Sequence, residues 1–249
     1  MHGAATLGLS IAEFLTELKS AGLSTLPGTA AEILDDEVRA LICPDKLTTD
    51  EWLNVIGTAH RIGLRTTSTI MYGHVETPLA WARHLKRIRS LQHETGGITE
   101  FVPLPFVHME SPMYLKGGAR MGPTFREAVL MHAVARLVLH PLIPNIQVSW
   151  VKMGPEGAKK CLQSGANDMG GTLMNESISR AAGTRHGQEF PPNEMDMLIR
   201  SIGRIPRQRT TLYSDAPASQ QQKSYSASQI TPVVQTPLRH RRRSEVVTV

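Results

Sequence analysis

The stretch that most constrains this chain is Leu23–Arg39, LSTLPGTAAEILDDEVR. Leu23–Leu26 predicts a short strand, Pro27-Gly28 breaks it, and a helix is expected from Thr29 to Ile42. Thr29 and Glu32 have the spacing of a capping box. Asp35, Asp36 and Glu37 add acidic charge early in the helix, where the dipole favours it. A strand that stops at Pro-Gly and turns into a capped helix is half of a βα unit, and in a βα barrel the active site is built on such turns. A purely capping role for Glu32 is the competing reading.

The rest of the chain repeats that alternation. Ser10–Ala21 is an amphipathic helix with Ser10 and Glu13 at capping-box spacing. Thr48–Ile62 is a second helix, capped by Thr48 or Thr49. Leu64–Tyr72 is rich in β-branched residues and reads as a buried strand. Helices follow at 77–94, 125–140, 154–164, 175–182 and 192–203, and strands at 98–107, 143–152 and 166–169. The prolines of Ile98–Val107 argue against a regular ladder to its end, and 108–122 is a long loop of the kind that covers substrates in barrels. Such order implies parallel strands with right-handed crossovers. The expectation is an α/β fold, a partial TIM-type (βα) barrel of about five strands that lacks its N-terminal strands.

Composition narrows the function. The chain has 249 residues, enough for one sizeable core. No run approaches the length of a membrane span, and the first ten residues lack the pattern of a secretory signal, so a soluble intracellular protein without a membrane partner is expected. Its two cysteines, Cys43 and Cys161, exclude a disulfide framework. Of the net +5, the stretch after Tyr213 carries the larger part, five Lys/Arg against two acids, so the folded part is nearly neutral and nucleic acid is not expected as a partner. Ser214–Val249 is Ser/Gln/Pro-rich and ends RHRRRSEVVTV; it reads as a disordered basic tail, leaving 1–213 as the folded unit.

Three turns follow strands: Pro27–Glu32, Tyr72–Glu76 and Asn167–Thr172. In a barrel they converge on one face. Tyr72, His74 and Glu76 bring hydrogen-bonding groups and a carboxylate. Asn167 and Asp168 are polar, Gly170 and Gly171 permit close approach to the backbone, and Thr172 precedes a helix N-terminus suited to an anion. A tight turn is the plain alternative for Asn167–Gly171.

The segments PGTAAEILDDEVR, STIMYGHVETP, TGGITEFVPLPFVH, NIQVSWVKMG and GANDMGGTLMNESISRAAG, in that order, resemble the C-terminal portion of deazaflavin (FO) synthase, specifically its tyrosine-using radical S-adenosylmethionine module. The likeness runs from about Leu9 to Tyr213, and menaquinone-pathway radical enzymes share part of it. The resemblance implies a [4Fe-4S] cluster that cleaves S-adenosylmethionine to a radical. That radical attacks L-tyrosine, and the released 4-hydroxybenzyl fragment joins 5-amino-6-(D-ribitylamino)uracil. By position, Thr29 and Glu32 would lie near S-adenosylmethionine. Tyr72, His74, Glu76, Asn167, Asp168, Gly170, Gly171 and Thr172 would line the substrate space.

One departure matters. The family holds its cluster with C-x3-C-x2-C after the first strand, and no such motif occurs here. The first three strands are missing too, so a partner chain or segment supplying the N-terminal half-barrel is implied, and the chain alone is expected to be inactive. Two alternatives compete: a non-catalytic scaffold derived from the barrel, and a metal enzyme using His74, Glu76 and Asp168.

Overall fold

A computed structural model describes residues 1–230 apart from 174, 175 and 185. The elements are α1 (His2–Leu7), α2 (Ile11–Ser20), β1 (Thr25–Leu26), α3 (Asp36–Ile42), α4 (Thr49–Arg61), β2 (Arg65–Tyr72), α5 (Pro78–Thr95), β3 (Ile98–Pro105), α6 (Pro112–Leu115), α7 (Phe125–Leu139), α8 (Trp150–Gln163), α9 (Ile178–Ala181), α10 (Pro192–Ser201) and α11 (Ala218–Ser226). Three strands form an open parallel sheet in the order β1-β2-β3. Two isolated parallel bridges, Phe101↔Ile146 and Gln147↔Asp168, carry the pairing two positions further.

Local signals place four of the longer helices, α2, α4, α5 and α7. Ser10, Thr48 and Thr124 each close a reciprocal capping box, with Glu13, Glu51 and Glu127. Pro78 opens α5 and Gly96, in the left-handed region, ends it. Ile70, Tyr72 and Phe101, each 0% exposed, pack against apolar side chains of α3, α4, α5 and α7. Burying a large apolar side chain of this kind is worth about 1.5–3 kcal/mol.

The helix expected from Thr29 does not form there. Glu32 sits at φ 43 and Ala30 at φ 64, and the helix begins only at Asp36. Tertiary burial overrides the capping pattern. Ala31, Ile33 and Leu34 are 0% exposed, and partners from elsewhere in the fold satisfy this loop's backbone. The Arg39 guanidinium donates to the carbonyls of Ala30, Ala31, Ile33 and Leu47, and Arg87 donates to Leu34 O. His84 Nδ1 accepts from Leu34 N at 2.9 Å, and Glu32 O accepts from Met71 N at 2.7 Å. A buried loop needs such partners for its polar groups.

The prolines of β3 act differently from the expectation. The ladder runs through both, pairing Ile70↔Pro103 and Tyr72↔Pro105. Phe101 N donates to Asn145 O, whereas Phe106 N donates to Tyr72 O. Amides of a parallel strand alternate between its two neighbours, so the N–H groups that Pro103 and Pro105 lack would have faced 143–149. That is why the fourth sheet position is one isolated bridge, and why the strand expected over 143–152 ends early, with Trp150 already in α8. The expected strand 166–169 is likewise reduced to the Asp168 bridge.

The described residues continue past 213 to 230. Arg209 bridges Asp215, Ala216 is buried, and α11 follows. The last part of the proposed tail, 231–249, lies outside the described residues, as does the start of the helix expected at 175.

Candidate functional site

Strand alternation divides the sheet into two faces. Ile70 and Tyr72 of β2 and Phe101 of β3 point into the helix layer. Glu100, one residue before Phe101, points to the opposite, open face. There its Oε2 accepts from Gln147 Nε2 at 3.0 Å, Arg209 Nη2 at 3.1 Å and Tyr213 Oη at 2.6 Å. Asp168 completes the cluster: its Oδ2 lies 2.5 Å from Arg209 Nε and 2.6 Å from Tyr213 Oη. The Arg209 guanidinium also stacks 4.0 Å from the Tyr213 ring centre. Burial pushes the Glu100 carboxyl upward, against the pull of Tyr213 and Arg209. A cavity of ≈ 980 Å³ adjoins the cluster, between the Asn167–Leu173 turn, α10 and the 204–214 segment.

The expected site residues fall into three groups. Thr29 is exposed beside the edge strand β1. Its carbonyl accepts from Trp52 Nε1 at 3.3 Å. Glu32 is paired with Lys46 Nζ at 2.7 Å.

The second group is packed inside. The Tyr72 ring lies edge-on to Trp81, and its hydroxyl is buried without a partner among the described residues. His74 is 1% exposed; its Nε2 contacts Met71 O at 3.1 Å and its Nδ1 accepts from Val75 N at 2.8 Å. The Glu76 carboxylate is fully enclosed, 2.9 Å from His74 Nδ1, and takes hydrogen bonds from Gly73 N, His74 N and Trp81 Nε1. Burial opposes its charge, but the His74, Gly73 and Trp81 contacts outweigh that and hold it at about 2. These groups brace the loop after β2.

The third group surrounds Asp168. Asn167 Oδ1 accepts from Ile146 N at 2.8 Å and Arg136 Nη2 at 2.7 Å, which sets the register of the last bridge. Gly170, at φ 72, donates to Asp168 Oδ1 at 2.6 Å. The Gly171 carbonyl accepts from Trp150 Nε1 at 2.9 Å, and Thr172 O accepts from Phe190 N at 3.2 Å. Asp168, Asn167 and the glycines do line the cavity, together with Thr172.

His74 and Glu76 do not join Asp168. They close a loop in the interior, while Asp168 belongs to the Glu100 cluster on the open face. Among the described residues no three His, Cys, Asp or Glu side chains are disposed to hold a metal ion. Sequence reasoning missed Glu100, Gln147, Arg209 and Tyr213. A usable signal existed: Glu100 is the one ionisable residue of 98–107, and Gln147 stands directly between Ile146 and Val148.

Residues 95–222 match the CofH/MqnC C-terminal region. The chain belongs to this family. It is 56% identical over 213 residues to the FO synthase of Nocardia farcinica, covering 86% of this chain and 25% of that protein. It is 55% identical over 206 residues to the 5-amino-6-(D-ribitylamino)uracil--L-tyrosine 4-hydroxyphenyl transferase of Methanopyrus kandleri, covering 83% of this chain and 56% of that protein. The FO synthase of Mycobacterium tuberculosis (strain H37Rv) is 53% identical over 213 residues. The chain thus spans between a quarter and about half of the length of these relatives.

The sequence resemblance implies a [4Fe-4S] cluster, and the two cysteines of this chain do not fit one. Both cysteines are buried. Burial pushes the Cys161 thiol up to about 12 and raises Cys43 as well, the opposite of the thiolate a cluster needs. No helix among the described residues is long and apolar enough to cross a membrane.

Proposed function

We propose that this chain forms the C-terminal half of a barrel that transfers a 4-hydroxybenzyl group from L-tyrosine to 5-amino-6-(D-ribitylamino)uracil. The observation that carries the reading is the 55% identity to the Methanopyrus transferase over 206 residues, with nearly half of that enzyme unmatched. On this reading β1, β2, β3 and the two bridged segments are five consecutive positions of a (βα) barrel. A parallel sheet with open edges is completed by further strands. The remaining half, on this polypeptide or another, carries the cluster cysteines. Thr29 and Glu32, beside the β1 edge, are candidate contacts to S-adenosylmethionine; Glu32 would have to exchange its Lys46 partner to serve. Asp168, Asn167, Gly170, Gly171 and Thr172 border the substrate space, and Tyr72, His74 and Glu76 support it from behind.

The test is anaerobic reconstitution with a relative's N-terminal half carrying C-x3-C-x2-C. Formation of the coupled 4-hydroxybenzyl product, dependent on both halves, is the expected result. A complex that assembles, binds its cluster and cleaves S-adenosylmethionine but yields no coupled product would overturn the reading and favour a scaffold.

A further inference from the structure

Lys152 stands at the C-terminal end of the fourth sheet position, in the first turn of α8. Ligands of parallel α/β folds bind at that end. Among the described residues it forms no ion pair; its Nζ has one long contact, 3.4 Å to Ser179 Oγ. Ser179 is itself buried, and its N–H is held by both oxygens of Glu176, at 3.0 and 3.1 Å. Burial lowers the Lys152 ammonium, with Glu176 acting in the opposite direction. A half-buried cation without a paired anion is costly, and such groups mark binding sites. The carbonyl of Gly171, held by the Trp150 indole, keeps the glycine turn close to the start of the same helix.

The three side chains differ in sign and so specify a ligand. Lys152 and the Ser179 hydroxyl can donate to a carboxylate. Glu176 uses its oxygens on one backbone N–H, and each oxygen retains a lone pair for an ammonium. We propose that Lys152, Ser179 and Glu176 form a recognition site for the zwitterionic head group of a free α-amino acid, with the carboxylate on Lys152 and Ser179 and the ammonium on Glu176. The further identification of that amino acid as L-tyrosine rests on the function proposed above.

The experiment uses the full chain, reductively methylated with ¹³C, and follows the Lys152 methyl signal by NMR with the other lysines as internal controls. The probes are L-tyrosine, L-alanine, tyramine, which lacks the carboxylate, and 3-(4-hydroxyphenyl)propionate, which lacks the ammonium. The Lys152 signal is expected to move with L-tyrosine and with the propionate, and not with tyramine. Lys152→Met should weaken L-tyrosine binding by roughly tenfold or more, the loss expected for a charge-assisted hydrogen bond, and Lys152→Arg should retain part of it. Glu176→Gln should weaken L-tyrosine but not the propionate. A Lys152 signal unmoved by every probe, or moved equally by tyramine, would overturn the site. A response to L-alanine without one to L-tyrosine would keep the head-group site and remove the tyrosine assignment.

Discussion

Tyr213 Oη stands 2.6 Å from Glu100 Oε2 and the same distance from Asp168 Oδ2. A phenol has one proton to donate, so two carboxylate oxygens cannot both receive it. The second contact is favourable when one carboxyl carries a proton of its own, and Glu100, raised by burial, is the group placed to hold it. The folded state therefore binds an extra proton between the ordinary value of 4.5 and the raised one. This contribution to stability is complete below 4.5 and is lost as pH rises through the folded value. Glu100→Gln should remove that slope while keeping the acceptor for Arg209. Urea titrations of both proteins at several pH values measure it, and parallel pH profiles would contradict the assignment.

Two histidines set the acid limit. Burial lowers His84 to about 3 and His60 to about 4, in each case with neighbouring arginines acting in the same direction. Both fold neutral, and the unfolded chain takes up their protons near 6.5. Stability is thus present above 6.5 and falls as pH drops, by up to about 1.4 kcal/mol per pH unit from each. Glu76 adds a loss between 4.5 and about 2. Thermal midpoints should decline steadily below pH 6.5, and His60→Gln should make that decline shallower. A flat profile down to pH 4.5 would refute the neutral-histidine description.

Helix boundaries were largely legible in the sequence because capping boxes at Ser10, Thr48 and Thr124 are local chemistry. Thr29 and Glu32 have the same spacing and no box. Nothing within six residues announces that Arg39 and His84 will take over that backbone. The candidate site was less legible for a related reason. Chain position puts Tyr72 at the turn after β2, whereas its strand parity sends the ring into the helix layer. Glu100 lies inside a strand, and Arg209 and Tyr213 inside an end piece where no local pattern marks them. Only the pairing of β2 with β3 and the bridges beyond it fix which side each residue faces.

Gly28 marks where β1 meets β2. A Cβ there would lie 1.9 Å from Thr67 O, and the Gly28 N–H donates to Thr67 Oγ1 at 2.7 Å. Gly28→Ala should therefore cost about 1–3 kcal/mol or more through forced separation of the strands. Chemical denaturation reads the cost directly; a change under 0.5 kcal/mol would show that β1 is not held this closely.

Tyr72→Phe should be nearly silent. The hydroxyl is buried and has no partner among the described residues, so removing it sheds a desolvated polar group without leaving another unsatisfied. The expected change in stability lies within about 1 kcal/mol and in the stabilising direction. A loss of several kcal/mol would reveal a partner for that hydroxyl.

Pro103 and Pro105 leave a seam in the molecule. Up to β3 the register is written in main-chain ladders, which most substitutions leave alone. Beyond it, main-chain pairing thins to a few bonds, such as Phe101 N on Asn145 O and Gln147 N on Phe101 O, and amide side chains reinforce the register: Asn145 Nδ2 on Thr99 O, Gln92 Nε2 on Leu142 O, and Asn167 Oδ1 on Ile146 N. Alignment of the second block thus leans in part on three residues whose chemistry changes with a single deamidation. Asn145→Asp, which exchanges a donor for an acceptor facing a carbonyl, amounts to a spelling error in how the two blocks are joined.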